Sequence, residues 1–333
     1  MSDDYQYDYK AINDAASFSI AIGAISILFP LSVVFILTYQ YKKLVSGKPF
    51  MHYIMSIAIS DAVVSLSISF GIPSNHALCY SQGFLFNLAG RASWFYTDVL
   101  ILQLFSVIVY KKHFLTVYHM NYIIWGLNIF LQVIPYTTGA SYGHSIGAQN
   151  GNAVIRCVIT HNEDVKNAFL WDNLTMNYEI IGSFIIIAVV TLSIVGYSIY
   201  IVRYDPLNIV AIHHINETRK TTILYPLSML VAYVPSIIFA SFVFNKTIEK
   251  TGSPGYHSVV ILDYLFACNA LYGVFLSLIL YYKSPSARKE WMNLLSLSGS
   301  INNEFELETS TTSDSIINPV RIIDDDYYGQ SIA

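Results

Sequence analysis

The sequence predicts an all-α membrane protein, a seven-transmembrane helix bundle with its N-terminus outside and its C-terminus inside. Three observations predict it. Hydrophobic residues make up 54% of the 333 residues and charged residues only 12%, about half the charged share of a soluble domain. The few charges are separated by long uncharged stretches: His113 to Ile155 holds no Asp, Glu, Lys or Arg, and neither does Ile180 to Val202 or Thr221 to Asn245. Lys and Arg gather on alternate connections between those stretches. Other classes lose ground on the same numbers. A net charge of −4 gives no electrostatic reason to bind nucleic acid, and three cysteines cannot build a disulfide scaffold or a Cys-rich metal site.

A helix needs about 20 apolar residues to cross the hydrocarbon core. The expected spans are 17–41, 51–73, 82–110, 120–140, 176–202, 221–244 and 258–282. Helices are required rather than barrel strands, because the apolar runs are long and do not alternate. Residues 1–16 form an outer tail that is acidic and lacks the basic start of a cleaved signal, so the first span reads as a permanent anchor. With that tail outside, the inner segments hold Lys42, Lys43, Lys48, Lys111, Lys112, Arg203, Arg219, Lys220, Lys283, Arg288 and Lys289. The outer segments hold Lys10, Arg156, Lys166, Lys246 and Lys250. Eleven against five supports the orientation. The sequons at Asn173 and Asn245 fall on the outer side, as a glycosylation acceptor requires, and Asn216-Glu-Thr falls inside.

The connections are short, and the longest outer piece, 141–175, reads as a lid over the bundle mouth. Residues 284–295 combine Arg288 and Lys289 with Trp291, Met292, Leu294 and Leu295, the pattern of an amphipathic helix on the inner leaflet. Residues 296–333 are polar and expected to be a disordered cytoplasmic tail. Their run Thr309, Ser310, Thr311, Thr312, Ser313 would gain strong negative charge if phosphorylated; the alternative is a solvated tail with no switch.

Ionisable groups in hydrocarbon are costly and mark function or a structural polar network. Asp61 lies near the middle of the second span and Asp98 near the middle of the third. Arg91 precedes Asp98 by seven residues, so both leave one helical face, which must turn inward. Asp263 stands near the outer end of the seventh span, at the depth of Arg91. Arg91, Trp94, Asp98 and Asp263 are read as ligand-binding residues, with Glu179 at the outer end of the fifth span as a further contact. Asp61, Asp98 and Asn269 are read as an intramembrane polar network, with Gln103, Asn128 and Gln132 as other polar groups needing partners. Pro226 and Pro235 interrupt the sixth span and mark it as a hinge. Cys79 and Cys157 both face the oxidising side, either paired or as two thiols. Cys268 reads as a packed core thiol.

Several residues carry a family resemblance: Cys79-Tyr-Ser-Gln82-Gly83-Phe84, Gly90, Ser93 and Trp94, Ser60-Asp61, and Asn269-Ala-Leu-Tyr272-Gly273. With the seven spans and the cysteine placement, they resemble a G-protein-coupled receptor, most closely the cyclic AMP receptor-like group near the secretin-like receptors. The resemblance covers about residues 15–295. The third span ends in Val107-Ile-Val-Tyr110 without an acidic-Arg-aromatic triad, and Asn269-Ala-Leu-Tyr272 lacks a proline, so the rhodopsin-like family matches poorly. The resemblance implies a Cys79–Cys157 disulfide, a plasma-membrane location, a small extracellular ligand and a heterotrimeric G protein as inner partner. Lys42, Lys43, Lys111, Lys112, Arg219 and Lys220 would border the G-protein cleft; lipid headgroup contact is the other reading of the same residues.

No enzyme, cofactor or metal is expected. His-Glu-x-x-His and Gly-x-Ser-x-Gly are both missing from the sequence. Residues 258–282 hold no Lys for a retinal linkage. A transporter or channel using Asp61, Asp98 and Arg91 remains the second reading.

Overall fold

The structure is a computed structural model. It describes residues 9–46, 48–71, 75–110, 116–137, 140–144, 157–161, 179–204, 224–225, 227–236, 238, 261 and 264–295. The order of elements is α1 (Tyr9–Tyr39), the short α2 (Tyr41–Leu44), α3 (Pro49–Ser69), α4 (His76–Tyr110), α5 (Val117–Thr137), β1 (Ala140–His144), β2 (Cys157–His161) and α6 (Glu179–Tyr204). Then follow α7 (Leu227–Ser236), a 3-10 turn (Cys268–Ala270), α8 (Leu271–Lys283) and α9 (Pro285–Leu295). With the turn, α8 belongs to one apolar helical stretch, Tyr264–Lys283.

Local chemistry sets the ends of these helices. Lys48 and Ser284 each precede a proline, and each is pushed out of the helical region, to φ −120° and φ −108°. The chain therefore breaks before α3 and between α8 and α9. Ser284 then caps α9, its Oγ accepting the Ala287 amide at 3.1 Å. Asn75 does the same for α4, its Oδ1 accepting the Ala77 amide at 2.8 Å. At the end of α3 the chain reverses through Gly71 at φ 63°, the left-handed region open to glycine. Gln82 of α4 reaches back to that corner. Its Nε2 donates to Ser67 O at 2.9 Å and Gly71 O at 2.8 Å, carbonyls at and just past the end of the helix.

The helix limits depart from the expected spans in instructive places. α1 begins at Tyr9, inside the segment read as tail, and ends at Tyr39; α4 begins at His76 rather than 82. Apolar content sets a span, whereas caps and backbone bonds set a helix, so the helix outruns the apolar run. The β1–β2 hairpin starts at the last residue of the expected fourth span, runs into the lid segment and adds two strands to the expected all-α fold, pairing Ala140 with His161 through to His144 with Cys157.

Polar side chains are buried beside the apolar core, and the exterior is apolar. α4 is central: it packs on α3, α5, α6 and both strands. It buries Gln82, Asn87, Arg91, Ser93, Thr97, Asp98, Gln103 and Ser106. Large apolar side chains instead face outward, among them Leu28, Phe35, Tyr122, Phe130, Val189 and Leu192. An exterior of this kind suits hydrocarbon rather than water. Among the described residues, three helices (Asn13–Tyr39, Pro49–Ser69 and Tyr264–Lys283) are long and apolar enough to cross a membrane. α1 packs on α3 with almost no space at Gly23, where a Cβ would lie 2.6 Å from Ser69 N.

Candidate functional site

The buried polar groups meet where α3, α4, α7 and α8 come together. Asp61 is 2% exposed, and its Oδ1 accepts a hydrogen bond from Ser93 Oγ at 2.7 Å. Its Oδ2 has no hydrogen-bond partner among the described residues. Gly273 makes this depth accessible to α8. A Cβ there would stand 2.8 Å from Asp61 Cβ and 3.3 Å from Pro30 Cγ. Only a residue without a side chain lets α8, α3 and α1 converge at that level.

A chain of hydroxyls continues from Ser93. Thr97 Oγ1 donates to Ser93 O at 2.8 Å. Thr97 has one hydroxyl proton, so the 2.7 Å contact with Tyr272 runs the other way, the phenol donating to Thr97 Oγ1. Tyr272 is fully buried. Its ring meets Tyr233 of α7 at a centroid distance of 5.6 Å, and Tyr233 meets Trp94 edge-on at 5.2 Å. Ser236 of α7 has one hydroxyl proton, shared between Tyr233 O at 2.8 Å and Asn269 Oδ1 at 3.2 Å. Four helices are thus joined through side chains that water does not reach.

A second cluster holds α5 to α4. Arg91 is 1% exposed, and its Nη1 donates to Gln132 Oε1 at 2.8 Å. One turn away, Asn128 Nδ2 donates to Leu88 O at 2.8 Å. These bonds connect helices that otherwise meet through apolar side chains.

The structure places part of the sequence-predicted set. Arg91, Trp94 and Asp98 are all buried along one face of α4. Arg91 bonds Gln132. Asp61 finds Ser93, and Asn269 finds Ser236. Pro235 is exposed within α7, and Lys42 is exposed in α2. Cys79 is fully buried, and Cys268 is a free cysteine. Glu179, Lys43 and Cys157 have described backbone positions, while their side chains lie outside the description. Asp263, Pro226, Lys111, Lys112, Arg219, Lys220, Asn173, Asn245 and the Thr309, Ser310, Thr311, Thr312, Ser313 run lie outside the described residues. Thr97, Tyr233 and Ser236 are network members that sequence reasoning missed. Thr97 carried a readable signal, since it follows Ser93 by one helical turn. A Tyr among 26 carried none.

No group of three metal-ligating side chains occurs among the described residues. The arrangement is suited to binding and to rearrangement. A buried carboxylate held by one hydroxyl, and a hydroxyl chain spanning several helices, can exchange partners when the helices shift.

No family model matches the chain, and no curated protein sequence does. The solved structures include a clear fold relative. The crystal structure of squid rhodopsin superposes with a TM-score of 0.62 at 16% sequence identity, covering 85% of this chain and 86% of that one.

Proposed function

We propose that this chain, which has the helical bundle fold of the G-protein-coupled receptor squid rhodopsin, is a cell-surface receptor. It senses a small extracellular ligand and activates a heterotrimeric G protein through movement of its helices. The observation that carries the reading is the fold likeness over 85% of the chain. The interior supports it: the buried links between α3, α4, α7 and α8 are of a kind that a ligand can bias. The grouping with the cyclic AMP receptor-like receptors stands on the sequence motifs.

In this reading the seven spans run with the N-terminus outside and the tail 296–333 in the cytosol. Arg91, Trp94, Asp98, Asp263 and Glu179 line the ligand cavity. Arg91 bonds Gln132 through one of its nitrogens, so a ligand would share the guanidinium with that amide. Pro226 and Pro235 let the inner end of the sixth span swing. Lys42, Lys43, Lys111, Lys112, Arg219 and Lys220 border the cleft that opens. A Cys79–Cys157 disulfide ties the lid to the head of α4. Three facts support that bond: Cys79 is buried, β2 packs against α4, and the remaining cysteine, Cys268, is free. Asn173 and Asn245 are the glycosylation sites, and Thr309, Ser310, Thr311, Thr312 and Ser313 the phosphorylation sites.

A ligand screen read out by nucleotide exchange on purified G proteins tests the proposal. The expected result is a ligand that drives exchange and loses potency in Arg91→Ala and Asp263→Ala. Normal potency in both variants removes the cavity assignment and leaves the receptor. The Oδ2 of Asp61 favours a second reading, a transporter or channel, because a buried carboxylate oxygen is what ion or proton passage requires. Substrate uptake into vesicles, with no ligand promoting exchange, would establish that reading instead.

A further inference from the structure

The inner end of the molecule carries a tie that the receptor reading does not use. Tyr281, in the last turn of α8, is 4% exposed. Its ring stacks on Trp291 of α9, with centroids 4.5 Å apart and planes inclined by 12°. Its hydroxyl lies 2.7 Å from Ser32 Oγ of α1. Ser32 already spends its one proton on Phe29 O at 2.6 Å, so Tyr281 is the donor. One side chain therefore touches α9 with its face and α1 with its tip.

Two further contacts converge there. Gln40, just past α1, donates from Nε2 to Glu290 Oε2 of α9 at 3.4 Å. Ala287, on the inward side of α9, is completely buried. On the opposite side Arg288, Lys289 and Met292 are exposed.

We propose that Tyr281 is a positioning residue that docks α9 onto the inner half of α1, so that protein contacts rather than the lipid surface hold this helix in place. An amphipathic helix held by a lipid surface alone changes its protection when that surface is exchanged. A helix tied by a stacked ring and an interhelical hydrogen bond does not. The tie also makes the placement of α9 depend on a residue far away in sequence. Ser32 lies 249 positions before Tyr281 and has no covalent route to α9 shorter than the whole bundle. The inference does not rest on the receptor reading, and neither fails with the other.

Hydrogen exchange of the full-length protein, read by mass spectrometry over 285–295, tests it in two settings: neutral phosphatidylcholine nanodiscs and lipid-free detergent micelles. The wild type should show equal protection of 285–295 in both. Tyr281→Phe keeps the stack and loses the bond, and should speed exchange there by roughly three- to tenfold, the range expected for one hydrogen bond. Ser32→Ala should reproduce that effect, and the double variant should add nothing. Ser32→Thr restores a hydroxyl and should restore protection. Unchanged exchange over 49–69 in each variant shows that the bundle is intact. Loss of protection in the wild type on removing lipid would overturn the tie, as would Ser32→Ala leaving 285–295 unaffected.

Discussion

Gly273 and Gly126 illustrate how one residue type carries opposite weights. A Cβ on Gly126 would meet nothing within 4 Å, whereas one on Gly273 would stand 2.8 Å from Asp61 Cβ. Gly273→Ala must push α8 away from α3, at a cost of about 1–3 kcal/mol for an overpacked core site. Gly126→Ala should be neutral or slightly stabilising, because alanine favours the helix by about 1 kcal/mol. Thermal unfolding of the purified protein checks both, with a lowered midpoint expected for Gly273→Ala alone. Asp61 is the other residue whose surroundings decide its meaning. Its isolation in an apolar stretch made it conspicuous in sequence, yet nothing there pointed to Ser93 as its donor. The two lie 32 positions apart, and only the packing of α3 on α4 makes them neighbours.

At the scale of the element, the corner between α3 and α4 is the sharpest case. Gln82 satisfies two carbonyls, Ser67 O and Gly71 O, from the neighbouring helix. Replacing it with leucine keeps the bulk and leaves both carbonyls buried without that donor. Gln82→Leu should therefore destabilise by about 1–3 kcal/mol and raise hydrogen exchange over 66–82, while exchange over 227–236 stays as it was. Equal exchange in wild type and variant across 66–82 would contradict this role. Helix breaks at Lys48-Pro49 and Ser284-Pro285 were legible in sequence, because proline restricts the residue before it. The β1–β2 hairpin was not. Residues 140–161 offer no alternating apolar pattern, and the strands form with α4 and each other as partners.

The whole molecule is organised by where polarity goes. Arg91, Asp61 and Asp98 are inside, and the exterior carries Leu28, Phe130 and Leu192. Placing them inside, beside an apolar core, is how a bundle in hydrocarbon satisfies its few polar groups. It also explains why α4, the central helix, reads as less apolar than its neighbours: its polar side chains face protein on several sides. The topological prediction belongs at this scale. An epitope placed within 300–333 should be unreadable by antibody on intact cells and readable after permeabilisation. Staining of intact cells would reverse the proposed orientation and, with it, the proposed inner cleft for a G protein.

Composition and the spacing of charges determined by themselves that this is an apolar helical bundle, because water and hydrocarbon sort side chains without reference to any particular contact. They also singled out Asp61, Arg91 and Asp98 as groups that need company. Which company they keep was decided only by tertiary structure: Ser93 for Asp61 and Gln132 for Arg91. Solvent preference is a property of one side chain, whereas a hydrogen bond between helices depends on the register and depth of two, and the chain sets those only by folding.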